Sequence, residues 1–169
     1  KSVENELPFT DVDVDDWFYS AVKYVYDNDL MNGTSATQFS PFMTTSRAMI
    51  LTILARYNGV DTSTGATWYE AGVAWAVENG VSDGTNLEAA VSREQLVTML
   101  WRLVGSPVIE CDLTAYPDSG SVSDWAAQAM AWAVDTGIII GTGAGTLNPQ
   151  GNATRAEVAA VLARFAEND

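Results

Sequence analysis

This chain of 169 residues contains no histidine and a single cysteine, Cys111. Its sequence therefore supports neither a His- and Cys-built zinc site, nor a Ser-His or Cys-His nucleophile, nor an intrachain disulfide. Basic residues are also scarce: eight Lys and Arg stand against twenty-two Asp and Glu, a formal charge of −14. Phosphate backbones are neutralised by clustered Lys and Arg, so nucleic acid is not an expected partner. No apolar run approaches the roughly 18 residues that suggest a membrane span, and no membrane insertion is expected. A Gly-x-Ser-x-Gly elbow and a P-loop are missing as well. Only carboxylates remain for acid–base chemistry, so the reading is of a non-enzyme with no catalytic residue and no cofactor. Asp11-Val12-Asp13-Val14-Asp15-Asp16 alternates like the start of a calcium loop, but Asp16 stands where Gly is needed and Val22 where the bidentate Glu should be. No metal site is expected.

What the chain does have is 47% hydrophobic residues with six Trp and six Tyr, enough for a globular core. The tryptophans disclose a repeat. Trp17, Trp68 and Trp125 each open a helical pattern, and each is followed sixteen residues later by a glycine: Gly33, Gly84 and Gly141. Small residues Ala21, Gly72 and Ala129 recur at plus four, and Tyr24, Trp75 and Trp132 at plus seven. Asp29, Gly80 and Gly137 fall where a left-handed C-terminal cap belongs, with Asp the poorest fit. A second pattern follows each glycine: Ser46-Arg47-Ala48-Met49, Ser92-Arg93-Glu94-Gln95 and Thr154-Arg155-Ala156-Glu157. Each places an arginine after a hydroxyl N-cap, and the third is a full capping box ahead of an apolar stripe. Arginine at the first helical position opposes the helix dipole by roughly 0.3 to 1 kcal/mol. Arg56, Arg102 and Arg164, nine residues further on, sit where the dipole favours a cation and need no functional explanation.

These spacings define three helix-loop-helix units: 7–59, 60–106 and 113–169, with linkers at 1–6 and 107–112. The middle unit departs: its glycine and arginine are nine residues apart rather than fourteen, and it lacks a counterpart of Phe39-Ser40-Pro41 or Leu147-Asn148-Pro149. The aromatic-x-Asp entries at Asp11 and Asp118, the Trp-led helices, the glycine loops and the Thr-Arg-Ala-Glu start resemble S-layer homology domains. That resemblance implies an all-α fold: three repeats forming a pseudo-threefold, three-pronged body around a central helical bundle. It implies extracellular, bacterial-surface work, the non-covalent anchoring of an exported or S-layer protein to the cell wall. The implied partner is a secondary cell-wall polysaccharide, anionic and often bearing pyruvate ketals, held in grooves between repeats. The cargo domain is then expected outside this sequence. By position, the family's ligand-binding arginine falls on Arg155, Arg47 and Arg93.

Physical chemistry supplies a reason. A helix N-terminus with unpaired N–H groups attracts anions, and a guanidinium beside it matches a carboxylate bidentately. Thr154, Glu157, Ser46 and Ser92 join the candidate site, mainly as caps, with Glu157 also a partner that fixes Arg155. Gly33, Gly84 and Gly141 are read as positive-φ turn residues that also let ligand approach the backbone. Asp11 and Asp118 are lesser candidates. So are Trp17, Trp68 and Trp125, which the helical spacing assigns to the core before any sugar-stacking role. The competing reading is a protein-interaction or S-layer self-assembly module, which calls for an apolar groove binding peptide rather than a polar groove with arginine at its floor.

Overall fold

Each of the three hydroxyl–arginine signatures starts a helix at its arginine, because the preceding Ser or Thr caps the third residue's N–H through its side chain. In the computed structural model, which describes residues 5–140 and 145–168, there are six α-helices. They are α1 (Tyr19–Asp27), α2 (Arg47–Tyr57), α3 (Glu70–Glu78), α4 (Arg93–Leu103), α5 (Ala127–Asp135) and α6 (Arg155–Glu167). Two short 3-10 turns, Ser119–Ser121 and Asp124–Ala126, lead into α5. Among the described residues there is no strand, so the chain is all-α as expected. Gly141 and the first four residues of the N-terminal linker lie outside the described residues.

The long helices α2, α4 and α6 carry the core. Ile50, Ile53 and Leu54 on α2, Leu96, Met99 and Leu100 on α4, and Val158, Val161 and Leu162 on α6 are all buried at the spacing expected of one apolar stripe. Burial of each such side chain stabilises by roughly 1.5–3 kcal/mol. The close helix pairs run between segments: α3 packs on α2, α5 on α4, and α1 on α6. Gly72 shows why small residues recur at the plus-four position, since a Cβ there would lie 2.7 Å from the Thr52 Cα.

A ring of backbone hydrogen bonds ties the three second helices together at their N-termini. Val91 N donates to Thr45 O (2.8 Å), Ala153 N to Val91 O (2.9 Å) and Thr45 N to Ala153 O (3.1 Å). Antiparallel bridges pair Thr44 with Thr154, Ser46 with Ala90 and Ser92 with Asn152 around it.

The first helices begin later than the tryptophan pattern implies. Trp17 precedes α1 by two residues, and Asp16 accepts a hydrogen bond from Asp13 N within the preceding turn. Trp17, Trp68 and Trp125 are therefore in turns and are exposed by 64, 52 and 52%. The core reading of these three is corrected: helical spacing cannot be extended back into a turn, and the core residue there is the next one, Phe18 or Ala126.

The reverse turn after each first helix behaves as predicted, with Asp29, Gly80 and Gly137 at φ of 57, 71 and 78°. A left-handed Asp costs more than Gly in that region. Asp29→Gly is expected to raise the melting temperature by about 2 °C, read by thermal circular dichroism.

Candidate functional site

Helix starts were candidate anion sites on the strength of their free N–H groups, and the structure gives those groups other partners. On α6, Arg155 N donates to Met43 O and Ala156 N to Pro41 O, both at 2.8 Å. On α4, Arg93 N donates to Gly151 O and Glu94 N to Pro149 O; on α2, Arg47 N donates to Ala89 O and Ala48 N to Leu87 O. Each acceptor belongs to a neighbouring segment. The next donors, Met49 N, Gln95 N and Glu157 N, go to the caps Ser46, Ser92 and Thr154 at 3.2 Å. Gln95 and Glu157 return the bond to the N-cap N–H of Ser92 and Thr154, completing two capping boxes.

The arginine side chains follow the same route across segments. Arg155 donates from Nε to Phe39 O at 2.8 Å and from its terminal nitrogen to Asn32 O, and its guanidinium carbon lies 4.6 Å from the centre of the Phe39 ring. It is 4% exposed. Burial pushes its pKa down from the ordinary arginine value, and the charge of Asp11 opposes that shift. Arg93 donates from Nε to Leu147 O at 2.9 Å and pairs with Glu157, and it is 8% exposed. Glu157 thus fixes Arg93 rather than Arg155. Arg47 donates to Thr85 O (3.1 Å) and Ser82 Oγ (3.3 Å) with Asp83 Oδ1 3.8 Å away. An arginine that opposes its own helix dipole is offset by the loop carbonyls and carboxylates of the next segment.

Two clefts between segments contain these groups. The larger, about 520 Å³, is lined by Trp17 and Phe42 of the first segment. Arg93, Thr154, Glu157 and Arg164 stand with Ile139 and Ile140 around the rest of it. The smaller, about 280 Å³, is its counterpart one segment round: Trp125 with Arg47, Asp83, Gln95 and Arg102. Of the fifteen candidate residues, the larger cleft brings together Trp17, Arg93, Thr154 and Glu157, and the smaller holds Arg47 and Trp125. Arg155 is in neither. Arg102 and Arg164 line the clefts, although their sequence position reads as simple dipole compensation. Each donates to a carbonyl three residues past its segment's first helix, Val81 O at 3.4 Å and Ile138 O at 3.3 Å. Their cleft position depends on a neighbouring segment, for which no local pattern exists.

The glycines divide. Gly84 has φ of 76°, as expected of a turn residue. Gly33 is absent from the positive-φ positions, and that reading is corrected. It is glycine because a Cβ would lie 2.4 Å from the Phe9 ring and 2.5 Å from Ser35 O. Asp11 and Asp118 clamp loop backbones: Asp11 accepts from Phe39 N and Ser40 N, and Asp118 from Leu147 N and Asn148 N, at 2.8–2.9 Å. The middle segment keeps the turn it was expected to lack. Asn86 has φ of 53°, like Ser40 (56°) and Asn148 (46°), and Leu87 occupies the place of Pro41 and Pro149.

A family model of the S-layer homology domain matches residues 8–48 and 115–159, together just over half of the chain. The chain belongs to the S-layer homology domain family, and its place is outside the cell at the bacterial surface. An endoglucanase of Bacillus sp. (strain KSM-635) is 31% identical over 178 residues, covering 96% of this chain and 19% of that protein. Exoglucanase XynX of Acetivibrio thermocellus is 30% identical, covering 95% of this chain and 16% of that protein. A surface-layer 125 kDa protein of Lysinibacillus sphaericus is 29% identical, covering 88% and 14%. The chain spans less than a fifth of the length of these relatives. What it shares with the glucanases is this module, a small part of each.

Arg155→Ala leaves two carbonyls without a donor inside the protein, so its expected cost is about 3 kcal/mol in urea unfolding. Arg47→Ala, whose side chain is 13% exposed, is expected to cost less than half as much. Hydrogen bonds from Leu147 N and Asn148 N hold the Asp118 pKa below the usual carboxylate range. A depressed carboxylate stabilises above its unfolded pKa of about 3.9 and loses that contribution as pH falls. Asp118→Asn is therefore expected to lower the melting temperature at pH 7, with the gap to wild type narrowing below about pH 4.

Proposed function

We propose that this module anchors an exported protein non-covalently to the cell wall by binding an anionic secondary cell-wall polysaccharide in the larger inter-segment cleft. The observation that carries this reading is the cleft's composition. Exposed Trp17 and Phe42 line the same space of about 520 Å³ as Arg93, Thr154 and Glu157. A pyranose presents C–H faces that suit an aromatic platform, with hydroxyls and acidic substituents at its edges. An arginine fork beside a carboxylate and a hydroxyl serves those edges. With a net charge of −14, the protein repels a polyanion at long range, so attraction has to come from a local pair of guanidiniums. The smaller cleft repeats the arrangement with Arg47 and Trp125. Arg155 serves as an internal tie in this reading.

Trp17 is 64% exposed, and its ring contact is with Phe18, at a centroid distance of 5.3 Å. Trp17→Ala should therefore leave the melting temperature within about 1 °C of wild type while cutting retention on native sacculi at least tenfold. Unchanged retention would rule out the larger cleft.

A protein-binding reading has one observation in its favour: Phe42, Met43 and Ile140, exposed by 73, 50 and 63%, form apolar surface near the same cleft. The two separate cleanly. Sacculi stripped of their secondary polymer by mild acid should no longer retain the module if it binds glycan, and should retain it fully if it binds protein.

A further inference from the structure

Arg164 stands in the larger cleft with Arg93, and among the described residues it has no carboxylate within ion-pair distance. Its single hydrogen bond, from one terminal nitrogen to Ile138 O at 3.3 Å, leaves most of its five donors free. Partial burial, with the positive charge of Arg93 added, pushes the Arg164 pKa down, and the charge of Glu167 opposes that shift. Two like charges therefore share a partly desolvated cleft whose one lining carboxylate, Glu157, is already paired with Arg93, while Glu167 offsets part of the Arg164 charge from outside that lining. That arrangement is unfavourable when the cleft is empty and becomes favourable once an anion lies between the two guanidiniums.

The other segments sharpen the contrast. Arg102, the counterpart in the smaller cleft, likewise makes one carbonyl bond there. Arg56, the third counterpart, is engaged twice, from Nε to Thr62 Oγ1 at 2.9 Å and from a terminal nitrogen to Leu30 O. The neighbouring segment's arginine at that third position is the buried Arg155. Among these three helix-end arginines, the two with a single hydrogen bond line the clefts, and the one with two stands at the third position.

Resting on the glycan reading above, we infer that Arg164 is a second anion-binding residue of the larger cleft, bridging with Arg93 an acidic group of the polysaccharide and setting preference for charged over neutral glycan. The group is a carboxylate or a phosphate, and the two are distinguishable chemically.

The test uses the whole module and polysaccharide released from the sacculi of its own source, immobilised in three forms: native, carboxyl-amidated with carbodiimide and amine, and freed of phosphodiesters by mild hydrofluoric acid. Wild type, Arg164→Gln and Arg164→Lys are compared. Arg164→Gln is expected to bind native polymer about tenfold more weakly than wild type, and Arg164→Lys within about threefold. On whichever treated polymer has lost the bridged acid, wild type and Arg164→Gln should bind equally. A loss in Arg164→Gln of the same size on all three forms would mean a structural role and overturn the inference. Equal binding of wild type and Arg164→Gln to native polymer would also overturn it while leaving the glycan reading intact. Failure of wild type to bind any form would bring down both.

Discussion

Three backbone hydrogen bonds, linking Thr45, Val91 and Ala153 head to tail, are the constraint on which the rest of the molecule depends. They bring the starts of α2, α4 and α6 to one place, so every helix start faces the loop of another segment. The first two N–H groups of each helix then find carbonyls across the boundary, and the arginine beside them follows. Segments distant in the chain become mutually dependent: the carbonyls that hold Arg155 lie 116 and 123 residues away. Helices of nine to thirteen residues are marginal in isolation, and this interlocking supplies tertiary support that helix propensity alone would not.

Closing the ring also creates the clefts. A first helix packs on the second helix of the neighbouring segment, and its leading tryptophan lines a cleft with that segment and with one arginine of the remaining segment, Arg93 for Trp17 and Arg47 for Trp125. The same contact plan has then diverged at three equivalent places. At one, Arg155 is sealed beneath the Phe39 ring; at another, Arg47 faces Asp83 in a small polar space; at the third, Arg93 and Arg164 face a wide space edged by Trp17 and Phe42. Divergence of this kind turns one tie into either a buried tie or a lining group, without altering the backbone pattern.

The second helices were legible in the sequence because their signals are local: a hydroxyl cap, a box partner three residues on and a stripe at helical spacing. The left-handed residues at 29, 80 and 137 were legible for the same reason. Three other features were not. The tryptophans misled because a helical period was carried back into a turn, where side-chain direction no longer follows it. Asn86-Leu87 escaped notice because the turn is defined by a positive φ, which Asn accepts without an adjacent proline. The arginines posed the hardest case. Their recurrence marked them as important, yet whether a guanidinium ends buried on carbonyls or in an open cleft is set by residues far away in sequence. Arg155, which stands within the full Thr-x-x-Glu capping box, is the most enclosed of the three.

The division between an enclosed arginine and two cleft arginines can be read in a single spectrum. Side-chain N–H signals of Trp17, Trp68, Arg93, Arg155 and Arg164 can be followed by NMR during titration with polysaccharide fragments. Selective shifts at Trp17 Nε1 and at the Arg93 and Arg164 Nε groups are predicted, with Trp68 and Arg155 unmoved. Shifts centred on Trp68 and Arg155, with Trp17 and Arg164 still, would contradict the assignment of the larger cleft as the wall-binding site.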